Sequence, residues 1–432
     1  MRSFFLAMGG PTVSDSSQTF DAVVVGDGLA AFAAASALRE QGKSVAQVYQ
    51  GSGATSVSSG AWDFGPIAQS GGSFSSQLAG EAWKQTFKML LWETKLFPSA
   101  EEWTSSFAAV AGELGQLLPV SCRFDSAFLL PCTSGGLRQV YAAQAIQAAA
   151  DPILRAKQRV ALVSARNWRF RADLLCRQWN HMAKRFGLTV EFRSVDLPSE
   201  GEGWDVPLAR VSAELQNAKR IDSFRDGLAR LGDSVDALLL PPVFPSHAAF
   251  EHVRKAVPFP VAEALASTEP TAGYRLHEAI RQTLERLGVK RFFAKRLDVQ
   301  PAGGRIRDLT ALSQGAGVTL KADLFVLASG RYFGGGLRAG FQRVEETVFG
   351  LPLYQDSERV SERRVVVEGR VDWSRLGVRV DEDLRPLAED GKPAFQNLVA
   401  CGSVLGGVDY AANQIGLGFF ALTGRRCVAS VT

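Results

Sequence analysis

The sequence predicts an α/β fold, a Rossmann-like domain carried in two parts with an inserted α/β domain between them. Three observations predict it. A β-branched run at Val23 to Val25 breaks into Gly26-Asp27-Gly28 and passes without a gap into an Ala-rich segment ending near Leu38. That strand, glycine turn and helix is the opening of a βαβ unit. Two later apolar runs, Asp323 to Ala328 and Asn397 to Cys401, also end in glycine, at Gly330 and Gly402. Between these halves the stretch 156–265 alternates strand and helix patterns of its own.

Taken in order, each element has a physical reason. Gly26 permits the tight turn, Gly28 lets a pyrophosphate approach the backbone, and the small Ala31 lets helix and strand pack closely. Free amides at the helix start then face phosphate with a partial positive charge. An ordinary βα turn using glycine for its backbone angles is the competing explanation. Lys43 to Tyr49 reads as the second parallel strand. At its end an Asp or Glu would normally hold an adenosine ribose; Gln50 stands there and offers a hydrogen bond without the bidentate carboxylate contact. The loop Gly51 to Phe64 is rich in small hydroxyl residues and ends in aromatics. In flavoproteins of this general build such a loop runs under the flavin, which makes Ser58, Ser59 and Gly60 candidate contacts.

Helical spacing follows at Glu81 to Leu96 and Ala100 to Leu117, with Trp83, Trp92 and Trp103 as core or interface residues. Phe124 to Leu130 is apolar, and Pro131 to Gly136 makes a turn. Within the insertion, strands are expected at Arg159 to Ser164, Leu188 to Phe192 and Val235 to Pro241, with helices through Phe186 and over Ala209 to Leu231. A helix from Pro270 to Leu287 opens the second half, and Val289 to Val299 with Arg305 to Leu312 form a hairpin. The domains are therefore a disordered leader (1–20), a first part of the cofactor domain (21–155), the insertion (156–265) and a second part (266–432).

Composition narrows the function classes. Of 432 residues, 46% are hydrophobic and 21% charged, and 48 Lys plus Arg against 44 Asp plus Glu leave a net charge of +4. That charge is too dilute to indicate nucleic acid. No apolar run approaches the roughly 20 residues that cross a bilayer, and the Phe4 to Met8 patch is too short for a secretory signal. The five cysteines are scattered with no C-x-x-C, so neither an iron–sulfur cluster nor a zinc site is expected, and a reducing, cytoplasmic setting is.

In a doubly wound sheet the carboxyl ends of parallel strands line one crevice. Bringing Gly26 and Gly28, Gly330 and Arg331, and Gly402 and Gly407 to that edge builds one cleft, where glycine lets backbone lie against a flat ligand. The last helix would point its positive N-terminus into it, stabilising the negative charge of a reduced flavin. Arg331 is a candidate for a phosphate or the flavin's pyrimidine edge, or else for a salt bridge at the sheet edge. Ser403 follows the third glycine. Asp409 suits a ribityl hydroxyl or a helix cap, and Asn413 has similar standing. Arg275, at a helix start unfavourable for a cation, implies a specific anion partner or a surface position. His277 lies near the cofactor domain or is an ordinary packed histidine. No Ser-His-Asp or Cys-His set and no metal ligands are legible, so no catalytic residue is assigned.

Asn397 to Gly407 resembles the C-terminal flavin segment of the fumarate reductase and succinate dehydrogenase flavoprotein class. More closely, the chain resembles the B-subunit family of anaerobic glycerol-3-phosphate dehydrogenases. The resemblance rests on Val24 to Ala31, Ser58-Ser59-Gly60 with Asp63, Leu327 to Leu337, Gly377 to Asp381, Leu384-Arg385-Pro386 and Val404 to Asp409. It implies oxidation of sn-glycerol 3-phosphate to dihydroxyacetone phosphate. It further implies a partner flavoprotein subunit that usually holds the substrate site, and electron exit through an iron–sulfur subunit to membrane quinone. The implied location is cytoplasmic, peripheral on the inner membrane through a partner. That family is described with FMN although its fold is of the FAD type, so FAD and FMN both stay open. Two departures stand out: Tyr410 occupies a place where the family usually has Pro, and Leu417 interrupts the glycine run at Gly416 and Gly418. The alternatives are a non-catalytic electron-relay or assembly subunit retaining the flavin fold, or another fumarate-reductase-class flavoenzyme. The last is disfavoured by the lack of an Arg and His cluster for two carboxylates.

Overall fold

The apolar run at Val23–Val25 is the centre of a mixed sheet of seven strands in a computed structural model. The model describes residues 16–65, 67, 73–78, 99–156, 158–197, 205–231, 235–267, 269–313, 316–340, 343–355, 358–359 and 373–429. The helix read at Glu81 to Leu96, with Trp83 and Trp92, lies outside the described residues, as do the first fifteen positions of the expected leader.

β1 (Ser16–Val25) begins inside that expected leader rather than at Asp21. The reason is its neighbour: the long strand Ala316–Leu327 continues in register, with Ser16 opposite Val318 and Phe20 opposite Ala322. α1 (Leu29–Glu40) follows, buried over Leu29–Leu38 on every face. Its alanines allow that, because a helix covered by both a sheet and a second helix has no room for long side chains. β2 is Val45–Tyr49, and α2 is Ala100–Leu114, capped by the Ser99 hydroxyl. After the insertion come α3 (Thr271–Arg286), β3 (Lys290–Phe293), β4 (Arg296–Ala302), β5 (Arg305–Ser313), β6 (Ala316–Leu327), β7 (Leu398–Ala400) and α4 (Leu417–Ala429). The expected strand Val289 to Val299 is in fact two. Ala294 donates back to the Tyr49 carbonyl and Lys295 to Leu312, so β3 pairs parallel with β2 while β4 pairs with β5.

The sheet order is β3-β2-β1-β6-β5-β4, with β7 also on β6. Phe292, Val48, Val25, Leu327 and Ala400 stand level across five parallel strands. Their carboxyl ends therefore open on one edge. β6 makes this possible by changing partners along its length, antiparallel to β5 early and parallel to β7 late.

The insertion is a second sheet of four parallel strands, β8 (Arg159–Ala165), β9 (Glu191–Leu197), β10 (Ala237–Leu240) and β11 (Val261–Glu263), in the order β11-β10-β8-β9. The helix expected over Ala209 to Leu231 is broken at Asn217, whose side chain accepts from Lys219 and Arg220 and starts a new helix. Asn is a strong N-cap, which explains the break. The expected strand at Leu188 to Phe192 is shifted on to Glu191–Leu197.

One buried charge pair joins the two units. Arg275 on α3 is 2% exposed and donates to Gln144 at 2.7 Å, to the Phe244 carbonyl at 2.5 Å and to Glu263 at 2.9 Å. The other Glu263 oxygen accepts the Val243 and Phe244 amides at 2.9 and 2.7 Å. The anion partner that Arg275 required is thus Glu263, at the carboxyl edge of the inserted sheet. Arg275→Leu strands a buried carboxylate, so a loss of about 3–5 kcal/mol is expected in denaturant unfolding. A loss under about 1 kcal/mol, the range of exposed pairs, would show that the pair is solvated.

Candidate functional site

The turn between β1 and α1 is set by Gly26. Its φ is +138°, and a Cβ there would lie 2.1 Å from the Ala328 carbonyl oxygen. Glycine alone permits both the angle and the approach. Gly28 is the N-cap of α1 and brings no side chain to the first-turn amides, and that turn holds no acidic residue. The Thr55 hydroxyl accepts from Leu29 at 2.9 Å. A positive helix end with small residues around it is suited to phosphate.

A cleft of about 750 Å³, counting space open to solvent, runs across this turn. It is lined by Val25 to Ala30, by Val48 to Gly51 with Gly53 to Thr55, and by Ala328 to Arg331 with Phe333 and Gly334. Ser403 and Phe420 also line it. Of the residues singled out from sequence, Gly26, Gly28, Gln50, Gly330, Arg331 and Ser403 are brought to this cleft. Gln50 donates to the Lys295 carbonyl at 3.3 Å.

The others lie elsewhere. Ala31 is buried within α1. Gly402 backs onto α1, where a Cβ would lie 2.7 Å from that of Ala30. Ser59 offers its carbonyl to Gln147 at 2.9 Å, and Ser58 and Gly60 belong to the same loop beyond the cleft. Gly407 donates to the Arg375 carbonyl. Asp409 accepts from Ala411 and Ala412 at 3.1 and 2.9 Å, and Asn413 donates to the Asp409 carbonyl. Asp409 therefore caps its own turn, ahead of α4.

Arg331 is turned inward. It donates to the carbonyls of Ser374, Leu405 and Val408 and lies 4.6 Å over the Tyr410 ring. Tyr410 in turn donates to Leu405 at 2.9 Å and Gly402 at 3.2 Å. Burial pushes its hydroxyl up to about 12. The tyrosine that replaces the family's proline thus braces the turn after β7. The N-terminus of α4 does not face the cleft: Gly416 and Gly418 donate to the Asp63 carbonyl at 3.1 and 3.0 Å, and it is Phe420, a turn later, that reaches the cleft wall.

Sequence reasoning missed the role of Asp27. Its carboxylate, in the phosphate turn itself, is 5% exposed. Arg291 donates to it at 2.5 Å and His277 lies at 2.8 Å. Arg291 also donates to Gln47 at 2.7 Å and stacks 4.5 Å over Tyr49, while Gln47 donates to the Gly26 carbonyl. A bare carboxylate here would repel phosphate; Arg291 neutralises it. The usable signal was the rarity of an acid between two turn glycines.

Buried polar atoms without partners test whether a flavin nucleotide fits. Ser329 Oγ, of a cleft-lining residue, is one; Ser58 Oγ, Trp62 Nε1 and Gln147 Oε1 are others, outside the cleft lining. Such atoms call for acceptors or donors from a ligand or water. Ser329 Oγ, together with an α1 N-terminus whose cap Gly28 brings no side chain, fits a phosphate-bearing, polar-edged ligand.

Comparison with known proteins agrees. A family profile described as the FAD binding domain matches residues 21–90 and 270–418, about half of the chain. The chain is 28% identical over 420 residues to the anaerobic glycerol-3-phosphate dehydrogenase B-subunit of Yersinia pestis, covering 92% of this chain and 95% of that one. The Yersinia enterocolitica protein of the same name is 32% identical over 227 residues, so the chain spans about half the length of that relative, 51%. Among solved structures, the open conformation of a flavocytochrome c3 fumarate reductase shares 11% identity, with 96% of this chain and 78% of that one covered and a TM-score of 0.43. Gly28→Val should leave a folded protein that loses its flavin on gel filtration, read as absorbance per chain; full stoichiometry would refute the phosphate role of the turn. With a profile that covers both halves of the sheet and about half of the residues, the chain belongs to the FAD binding domain family.

Proposed function

We propose that this chain is the flavin-carrying subunit of an anaerobic glycerol-3-phosphate dehydrogenase, oxidising sn-glycerol 3-phosphate to dihydroxyacetone phosphate with partner subunits. The observation that carries this is similarity to proteins of that name along 92% of the chain, together with a cleft that suits their class of cofactor. A bound flavin supplies the two-electron oxidant. The protein's part is to hold it: the α1 amides and Gly28 receive the phosphates, and Arg291 cancels the Asp27 charge beneath them.

The nucleotide half supports FAD over FMN. The cleft continues past the phosphate turn to Val48–Gly51 at the end of β2, where a dinucleotide's adenosine lies in this fold. Gln50 supplies a neutral hydrogen bond there. Among the described residues no helix is long and apolar enough to cross a membrane; in this reading partner subunits, an iron–sulfur subunit among them, deliver the electrons to membrane quinone.

Purified protein should be yellow, and acid-released cofactor should have the mass of FAD. Glycerol 3-phosphate should bleach the flavin in the assembled complex. Released FMN would overturn the adenosine assignment. A flavin that stays oxidised with glycerol 3-phosphate would favour a relay or assembly role.

A further inference from the structure

The aromatic side chains of the cleft differ in how much ring surface they offer. Among the described residues Tyr49, Phe333 and Phe420 line it. Tyr49 is covered by the Arg291 guanidinium at 4.5 Å and met edge-on by Phe293 at 5.7 Å. Phe420 packs against Tyr410, with 5.7 Å between ring centres. Phe333 is 61% exposed, the highest value for a large apolar side chain among the described residues. A lone exposed apolar residue is ordinary on a surface, but this one stands in the cleft on a turn whose backbone is tied down. The turn runs from Ser329 to Gly336, directly after β6. A Cβ on Gly334 would lie 2.3 Å from the Ser329 carbonyl oxygen, and one on Gly336 2.1 Å from that of Gly330. Gly336 donates to the Arg331 carbonyl at 3.0 Å, and the Thr347 hydroxyl donates to that of Gly335 at 2.7 Å. Arg331 is held by its three carbonyls, and the Tyr332 ring lies 6.3 Å from that of Trp373. Both neighbours before Phe333 are thus committed to the protein, and Phe333 itself is left to the cleft.

We propose that Phe333 stacks on a flat ring of the bound flavin nucleotide and sets how tightly the chain holds it. This rests on the flavin-carrying reading above and goes past its phosphate contacts. An aromatic side chain and a heteroaromatic ring attract through dispersion, through apolar area withdrawn from water and through complementary charge over their faces. Sites for such ligands are mainly apolar and aromatic, with a few polar groups that fix orientation. The α1 N-terminus and Ser329 are polar groups of that kind here, and Phe333 is the apolar surface that stays open. The bracing of the turn matters as much as the ring. A side chain on a loose loop would be ordered only as the ligand bound and would return less affinity; this one is in place beforehand. FAD carries two flat rings, adenine and isoalloxazine, and both present the same chemistry to Phe333.

The test is a titration of the full chain, stripped of flavin, with FAD, FMN and ADP, read by calorimetry and by flavin fluorescence. Phe333→Ala should melt with the wild type, because exposed substitutions change stability little. Its Kd for FAD should rise roughly 10- to 100-fold, the range for losing one aromatic stacking partner. Phe333→Trp should stay within about 3-fold of wild type, since an indole keeps the flat face. Phe333→Leu keeps apolar bulk without that face and should lose affinity as Phe333→Ala does. A loss shared by FAD and ADP places adenine on Phe333; one shared by FAD and FMN places the isoalloxazine there. Wild-type affinity of Phe333→Ala for all three nucleotides would overturn the assignment, as would FAD binding by Phe333→Leu as tight as by Phe333→Trp. Unchanged nucleotide affinity with weaker recovery of the assembled complex would overturn it too, and would make Phe333 a subunit contact. A wild-type chain that binds none of the three would refute the flavin reading instead.

Discussion

Everything in the cofactor cleft depends on how closely two backbones meet at Gly26. The turn after β1 passes the Ala328 carbonyl at a distance that a methyl group would violate by more than an ångström. That approach is what makes β1 and β6 end together and presents the start of α1 to the same opening as Ser329 and Gly330. A wider turn would tilt the helix away, and the amides would address solvent instead of a phosphate. The buried alanines of α1 serve the same end from the other side, since they let the helix lie flat on the sheet.

The first βαβ unit was legible because its signal is local: apolar run, glycines, alanines, second apolar run. The later strand ends were legible as glycine switches, and the register of Val25, Leu327 and Ala400 explains why they share an edge. What sequence could not supply was side-chain direction. Arg331 follows a strand end next to the cleft, yet three carbonyls and the Tyr410 ring hold it inward. Asp409 meets the amides of its own turn, so its residue type was informative about capping but not about which segment it caps. Asp27 shows the opposite failure. Its partners, His277 and Arg291, lie about 250 positions away in the chain, and only the closed sheet brings β3 beside β2.

The insertion shows how a shared strand order can be used differently. Its order, β11-β10-β8-β9, is that of a doubly wound unit, in which the carboxyl edge usually receives a ligand. Here that edge receives Arg275. The same helix presses on the cofactor loop, because a Cβ on Gly273 would come within 2.4 Å of the Ser58 nitrogen. The insertion therefore supports, through one helix, the loop that carries Thr55 to the mouth of α1 and Asp63 to the start of α4.

For anyone building chimeras, this joint has a cost. Swapping the insertion for the corresponding segment of a relative removes Glu263 and the Phe244 carbonyl from Arg275 unless the replacement supplies an equivalent anion at the same depth. The unit resembles a portable module by its topology, but its working edge is already committed to the host.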